Sequence, residues 1–173
     1  VGGCPATMTR TWTYTDACGN AATETQTITV DDTQAPVFAA PPANASYQCI
    51  GDVPAMAGLG WTDNCDGSGT MAGSEVSDGL SCPETITRTW TYTDACGNTA
   101  TETQTITVND TQAPVFAAPP VAANVQCSGD VPAMTNLAWT DNCDGAGNVT
   151  GADVSDGLSC PETITRTWTY TDA

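Results

Sequence analysis

The chain repeats itself every 78 residues, almost word for word. Residues 4–30 and 82–108 differ at three of 27 positions, and residues 160–173 begin the same phrase a third time. The phrases DTQAPVFAAPP (32–42 and 110–120) and WTDNCDG (61–67 and 139–145) keep that offset. A fixed period of this length marks a tandem array of small domains. It also bounds the function. Selection for one catalytic centre gives no reason to copy it, whereas a stalk, filament or adhesive surface gains from every copy. With 173 residues the chain holds little more than two periods and begins and ends inside a repeat, so it reads as a piece of a longer array.

Within a period the dominant pattern is alternation. Every second residue of 84–93 (ETITRTWTYT) is Thr, with Ile86, Arg88, Trp90 and Tyr92 between. In 98–108 (NTATETQTITV) Thr again alternates, with Ala100, Glu102, Gln104, Ile106 and Val108 between. A period of two in β-branched and aromatic residues predicts two strands. The Asp-Ala-Cys-Gly-Asn segment at 94–98 predicts a hairpin turn between them. Trp90, Tyr92, Ile106 and Val108 are expected to face a core, and the Thr set to form a wettable outer face. Arg88 falls on the core side and is expected to pair with Glu102. Shorter strands follow at 44–49, 56–62 and within 70–76, cut by Gly and Pro. About seven strands with no helical period predict an all-β fold, a tandem array of immunoglobulin-like sandwiches of about 78 residues each. The linker at 30–36 places the boundaries: 1–32 is the C-terminal part of one repeat, 33–110 a complete repeat and 111–173 the N-terminal part of the next.

Domains this small have thin cores and need staples. The nine cysteines fall into four per repeat, with no CxxC and no His to suggest a zinc site. Disulfides follow, and with them an extracellular or cell-surface location. Four cysteines permit three pairings. In an immunoglobulin-like topology Cys49 and Cys82 lie at one pole and Cys65 and Cys96 at the other. That predicts Cys49–Cys82, Cys65–Cys96 and, by repetition, Cys127–Cys160.

The net charge is −17, with 20 acidic residues against three Arg. Such a surface repels the phosphates of nucleic acid and anionic membranes, and no apolar stretch suggests direct membrane insertion. The fitting partner is a hard cation with oxygen ligands, above all calcium. One pole gathers the oxygens: Asp31 and Asp32 from the linker, Asp63, Asn64 and Asp66 from one loop, Asp94 and Asn98 from the hairpin. The next junction offers Asn109, Asp110, Asp141, Asn142 and Asp144. These residues also suit plain Asx turns. The stretch 108–116 (VNDTQAPVF) resembles, locally, the calcium-binding linker of cadherins.

No catalytic residues are apparent: His and Lys are absent, and the carboxylates cluster in turns. An enzyme is not expected. The phrase TRTWTYTDACGNTATETQTITVNDTQAPVF, with TDNC, TDACGN and DTxAP, resembles the HYR-like, immunoglobulin-type repeats of giant Bacteroidota surface proteins. Those include gliding-motility adhesins exported by type IX secretion. The resemblance implies a structural segment of an extracellular filamentous adhesin whose partners are its own neighbouring repeats. Two other readings stand beside it: a multivalent array binding a glycan or protein surface ligand, for which the loops after DNCDG differ between repeats, and a laterally self-assembling fibre.

Overall fold

Alternating Thr and bulky residues build long β-strands, and the computed structural model shows them over residues 4–172, the part described here. The strands in chain order are β1 (Ala6–Thr15), β2 (Ala21–Val30), β3 (Val37–Phe38), β4 (Ala45–Tyr47), β5 (Leu59–Asp63), β6 (Gly67–Met71) and β7 (Ser74–Ser77). They continue with β8 (Glu84–Thr93), β9 (Thr99–Val108), β10 (Val115–Phe116), β11 (Leu137–Thr140), β12 (Ala146–Val149), β13 (Ala152–Ser155) and β14 (Ile164–Thr167). The described residues contain no α-helix, only two short 3-10 turns at Ile50–Asp52 and Ser128–Asp130. Contacts divide the chain into two compact units. One holds the residues up to Ala45 with Pro54–Ser77 and Ile86–Ile106; the other holds Ser46–Val53, Asp78–Thr85 and the residues from Thr107 onward.

In the first unit β1 and β2 form a hairpin in full register from Ala6↔Val30 to Thr15↔Ala21. The complete repeat supplies a three-stranded sheet in the order β3-β5-β6 and a four-stranded sheet in the order β4-β9-β8-β7. Three strands facing four is the immunoglobulin-like sandwich that the strand count predicts. Alternation along β8 buries Ile86, Arg88 and Trp90, and along β9 it buries Gln104, Ile106 and Val108. Trp90 and Ile106 are 1% exposed and form the centre of the core with Leu59. Across the sandwich the Trp90 indole N–H donates to Ala57 O (3.1 Å), and Trp61 of β5 stacks on Tyr92 of β8 with ring centroids 3.7 Å apart. Outside, the Thr face zips the hairpins through hydroxyl pairs at Thr93–Thr99 and Thr91–Thr101.

Arg88 does not pair with Glu102. Its guanidinium bonds Glu75 Oε2 at 2.6 Å and donates to Pro54 O. The reason is strand order. β8 is flanked by β7 as well as β9, and the register sets Glu75 directly opposite Arg88. In the β1–β2 hairpin, of nearly the same sequence, Arg10 faces Gln26, and the glutamate of that strand, Glu24, faces Trp12.

The second unit repeats the plan. β10, β11 and β12 form one sheet and β13 pairs with β14. Leu137 and Trp139 are buried, Trp139 stacks on Tyr170 at 3.7 Å, and Arg166 pairs with Asp153, donating also to the carbonyls of Pro132 and Ala133.

The cysteines pair otherwise than expected. Cys4 bonds Cys96 and Cys49 bonds Cys143, with Cα separations of 4.7 and 5.2 Å. Cys82, Cys65, Cys127 and Cys160 carry free thiols, as does Cys18. The expected pairings Cys49–Cys82 and Cys65–Cys96 therefore give way to these bonds, and Cys127–Cys160 does not form. Each observed bond joins cysteines more than one period apart, with sequence separations of 92 and 94 residues. Cysteines grouped at one pole of a repeat reach a cysteine of the neighbouring repeat instead of each other.

Candidate cation site at the linkers

The hairpin turn after β8 is built around Asp94. Its Oδ1 accepts from the amides of Cys96 and Asn98, and Asp94 O accepts from Gly97 N. Gly97 has φ +92°, a conformation that costs an L-residue with a side chain about 1–2 kcal/mol. That turn holds Asp94 6% exposed at the end of the sandwich. The loop after β5 folds around Asp63, whose Oδ1 accepts from Cys65 N and Asp66 N. Asp32 arrives from the linker after β2, its Oδ1 accepting from Gln34 N.

Three segments thus bring Asp32, Asp63 and Asp94 together, with a carboxylate oxygen of each within 4.8 Å of the others. Asp32 Oδ2 and Asp63 Oδ2 are buried and have no hydrogen-bond partner among the described residues. The carboxyl of Asp32 is held below the ordinary range, first by the Gln34 amide and then by the Asn64 side chain. For Asp94 burial pushes upward, yet hydrogen bonds from Asn98 and the turn amides bring it below the ordinary range. Both therefore stay charged at neutral pH. Three carboxylates gathered this closely, with buried lone pairs unmatched, offer the kind of oxygen set that a hard cation takes. Oxygens bound to one calcium at about 2.4 Å lie no more than about 4.8 Å apart.

The same triad recurs 78 residues on as Asp110, Asp141 and Asp172, and Asp141 Oδ2 is again buried without a partner. Asp172 was not among the residues read from the sequence, though it stands 78 residues after Asp94 and the period alone could have found it.

The other expected ligands make the following contacts. Asn64 donates its side-chain amide to Asp32 Oδ1 (3.1 Å), and Asn98 donates to Asp32 O (3.0 Å) and Asp94 Oδ2 (2.9 Å), so these two orient the carboxylates. Asp66 Oδ2 accepts from the Tyr92 hydroxyl and Ala95 N, tying the two loops together. Asp144 accepts from Tyr170, whose phenol is pushed up to about 12 by that bond first and by burial second. Asn142 donates to Asp110 Oδ1 (3.3 Å), as Asn64 does to Asp32. Asp31 is exposed outside its triad, and Asn109 accepts from the Cys82 thiol. Cys49 and Cys143 lie beside Asp110 but are joined to each other, so neither offers a thiolate.

A sandwich with four cysteines per period and a linker of this kind has a counterpart among known families. The profile of the HYR-like domain with 4 cysteines matches residues 37–108 and 115–173. The chain belongs to this family. No curated protein and no solved structure matches it. The HYR-like repeats are extracellular adhesion-type modules, and the disulfides agree with an oxidising compartment. Among the described residues no helix is long and apolar enough to cross a membrane.

Proposed function

We propose that these HYR-like repeats form a structural segment of an extracellular filamentous surface adhesin, stiffened at its junctions by disulfides and by calcium. The observation that carries this reading is the make-up of the triads. Each takes one carboxylate from the linker that ends one repeat and two from the repeat that follows. Asp32, Asp63 and Asp94 would hold one ion and Asp110, Asp141 and Asp172 another. Bound calcium supplies the positive charge that lets three carboxylates share one place. The chain's own part is to fix them: the Asx turns anchor Asp63 and Asp94, and the amides of Asn64 and Asn98 aim Asp32. A junction closed this way transmits orientation from repeat to repeat, which a filament needs and an isolated binding domain does not. A finer placement, among gliding-motility-type proteins of Bacteroidota exported by type IX secretion, rests on the wording of the repeat.

Thermal unfolding with calcium and with EDTA tests the reading. The melting temperature is expected to rise with calcium in the native chain and to lose that response in the double variant Asp63→Asn, Asp141→Asn. A native chain indifferent to calcium, by melting and by titration calorimetry, would leave the triads as turn carboxylates. The loops after DNCDG would then move forward as a ligand-binding surface.

A further inference from the structure

The two disulfides obey one rule. Cys4 belongs to the class Cys4, Cys82, Cys160 and bonds Cys96, of the class Cys18, Cys96, in the next repeat. Cys49 belongs to the class Cys49, Cys127 and bonds Cys143, of the class Cys65, Cys143, also in the next repeat. The four classes are used once each and none is shared.

The free cysteines sit in the settings of their bonded counterparts. The sulfur of bonded Cys4 accepts from Asp32 N at the linker (3.3 Å). Free Cys82 lies at the same place one period on, its thiol 3.3 Å from Asn109 Oδ1 and 3.5 Å from Asp110 O. Bonded Cys143 is capped by the side-chain amide of Asn142 at 2.9 Å, and free Cys65 by that of Asn64 at 3.1 Å. Bonded Cys49 precedes a 3-10 turn with φ −117° and ψ 147°; free Cys127 precedes the equivalent turn with φ −131° and ψ 150°. All five free thiols are exposed.

We infer that every cysteine of this repeat is an inter-repeat cysteine, two reaching the following repeat and two the preceding one, so that each junction of an array carries two disulfides and no repeat carries one of its own. The partner of Cys82 is the turn cysteine of a following TDACGN, and the partner of Cys127 is the loop cysteine of a following TDNC. Cys18 and Cys65 are the receiving ends for a preceding repeat. Each bond forms by loss of two thiol protons and two electrons, the electrons passing to a disulfide or quinone-linked acceptor among the thiol oxidants of an extracytoplasmic compartment.

Counting thiols decides the matter. The oxidised chain is denatured without reductant, alkylated and mapped by peptide mass spectrometry. The rule gives linked peptides Cys4–Cys96 and Cys49–Cys143 and five alkylated cysteines. Pairing inside repeats gives Cys49–Cys82, Cys65–Cys96 and Cys127–Cys160 and three alkylated cysteines, and would overturn it. A second chain, with residues 96–173 appended once more after Ala173, tests the propagation. Its disulfides are expected to double, with Cys82 and Cys127 now bonded to the appended copies of Cys96 and Cys143. The alkylated count stays at five. Finding Cys82 or Cys127 still free there, or bonded within its own repeat, would sink the inference. Both readouts are indifferent to calcium, so they stand or fall apart from the cation site.

Discussion

Trp12 and Trp90 occupy the same place in one twelve-residue phrase, TRTWTYTDACGN, yet Trp12 is 55% exposed and Trp90 1%. Local sequence makes the strand in both; burial comes from the opposing sheet. Trp90 meets Ala57 O, and among the described residues up to 32 the strands are β1 and β2, paired with each other. This gives an internal control. Trp90→Ala removes a buried ring and leaves a cavity, which should cost about 3–5 kcal/mol, whereas Trp12→Ala should stay within about 0.5 kcal/mol. Urea unfolding of the two variants checks it, and equal effects would contradict the assigned core. The inward set of β8 and β9 was legible because alternation of period two maps onto the two faces of a sheet. The partner of Arg88 was not. Alternation says which face a side chain takes, but whether Glu75 or Glu102 stands beside it depends on which strand lies on either side.

The turns carry the pH dependence. Asp78 and Asp156 close the equivalent loops after β7 and β13, accepting from Leu80 N and Leu158 N at 3.0 Å. These bonds come first among the causes that hold both carboxyls below their ordinary 3.8, with Thr85 and Thr163 adding to them. A carboxyl depressed in the folded state contributes stability that is complete above the unfolded value, near 4, and is lost as pH falls through the lower folded value. Melting temperature should therefore be level in this respect from neutral pH to about 5 and fall below about 4. The Asp78→Asn, Asp156→Asn variant should show a shallower fall over that range, measured by circular dichroism; an unchanged slope would refute the assignment. The turns at 63–67 and 94–98 were legible as turns from their Asp, Gly and Asn. Asp32, Asp63 and Asp94 were expected at one pole, but that these three close on one another while Asp66 and Asp144 turn to tyrosines was not readable, since loop geometry selects among neighbouring carboxylates.

Across the chain the disulfides are the largest single stabilising devices. Loops of 92 and 94 residues each correspond to about 4–5 kcal/mol in the chain-entropy treatment. Because the two loops overlap, their contributions are not additive. Full reduction should lower the melting temperature, and Cys96→Ala should capture a large share of that drop by removing one bond. No change on reduction would show that packing alone holds the repeats. The period, the all-β class and the use of cysteine were readable in advance. The pairing was not, because two cysteines at one pole look equally close to each other and to the next repeat until the junction is built.

The overlap of the two loops has a consequence for tension. Without disulfides, drawing Cys4 and Cys143 apart until the backbone is taut uses 139 residues, or about 470 Å. With Cys49 bonded to Cys143, the shortest covalent route from Cys4 runs only to Cys49, 45 residues or about 150 Å. Roughly two thirds of the contour is thereby kept out of reach of a steady pull, even if every strand has melted. The bond turns an otherwise extensible tether into a short leash, and the missing slack is released only by a reductant.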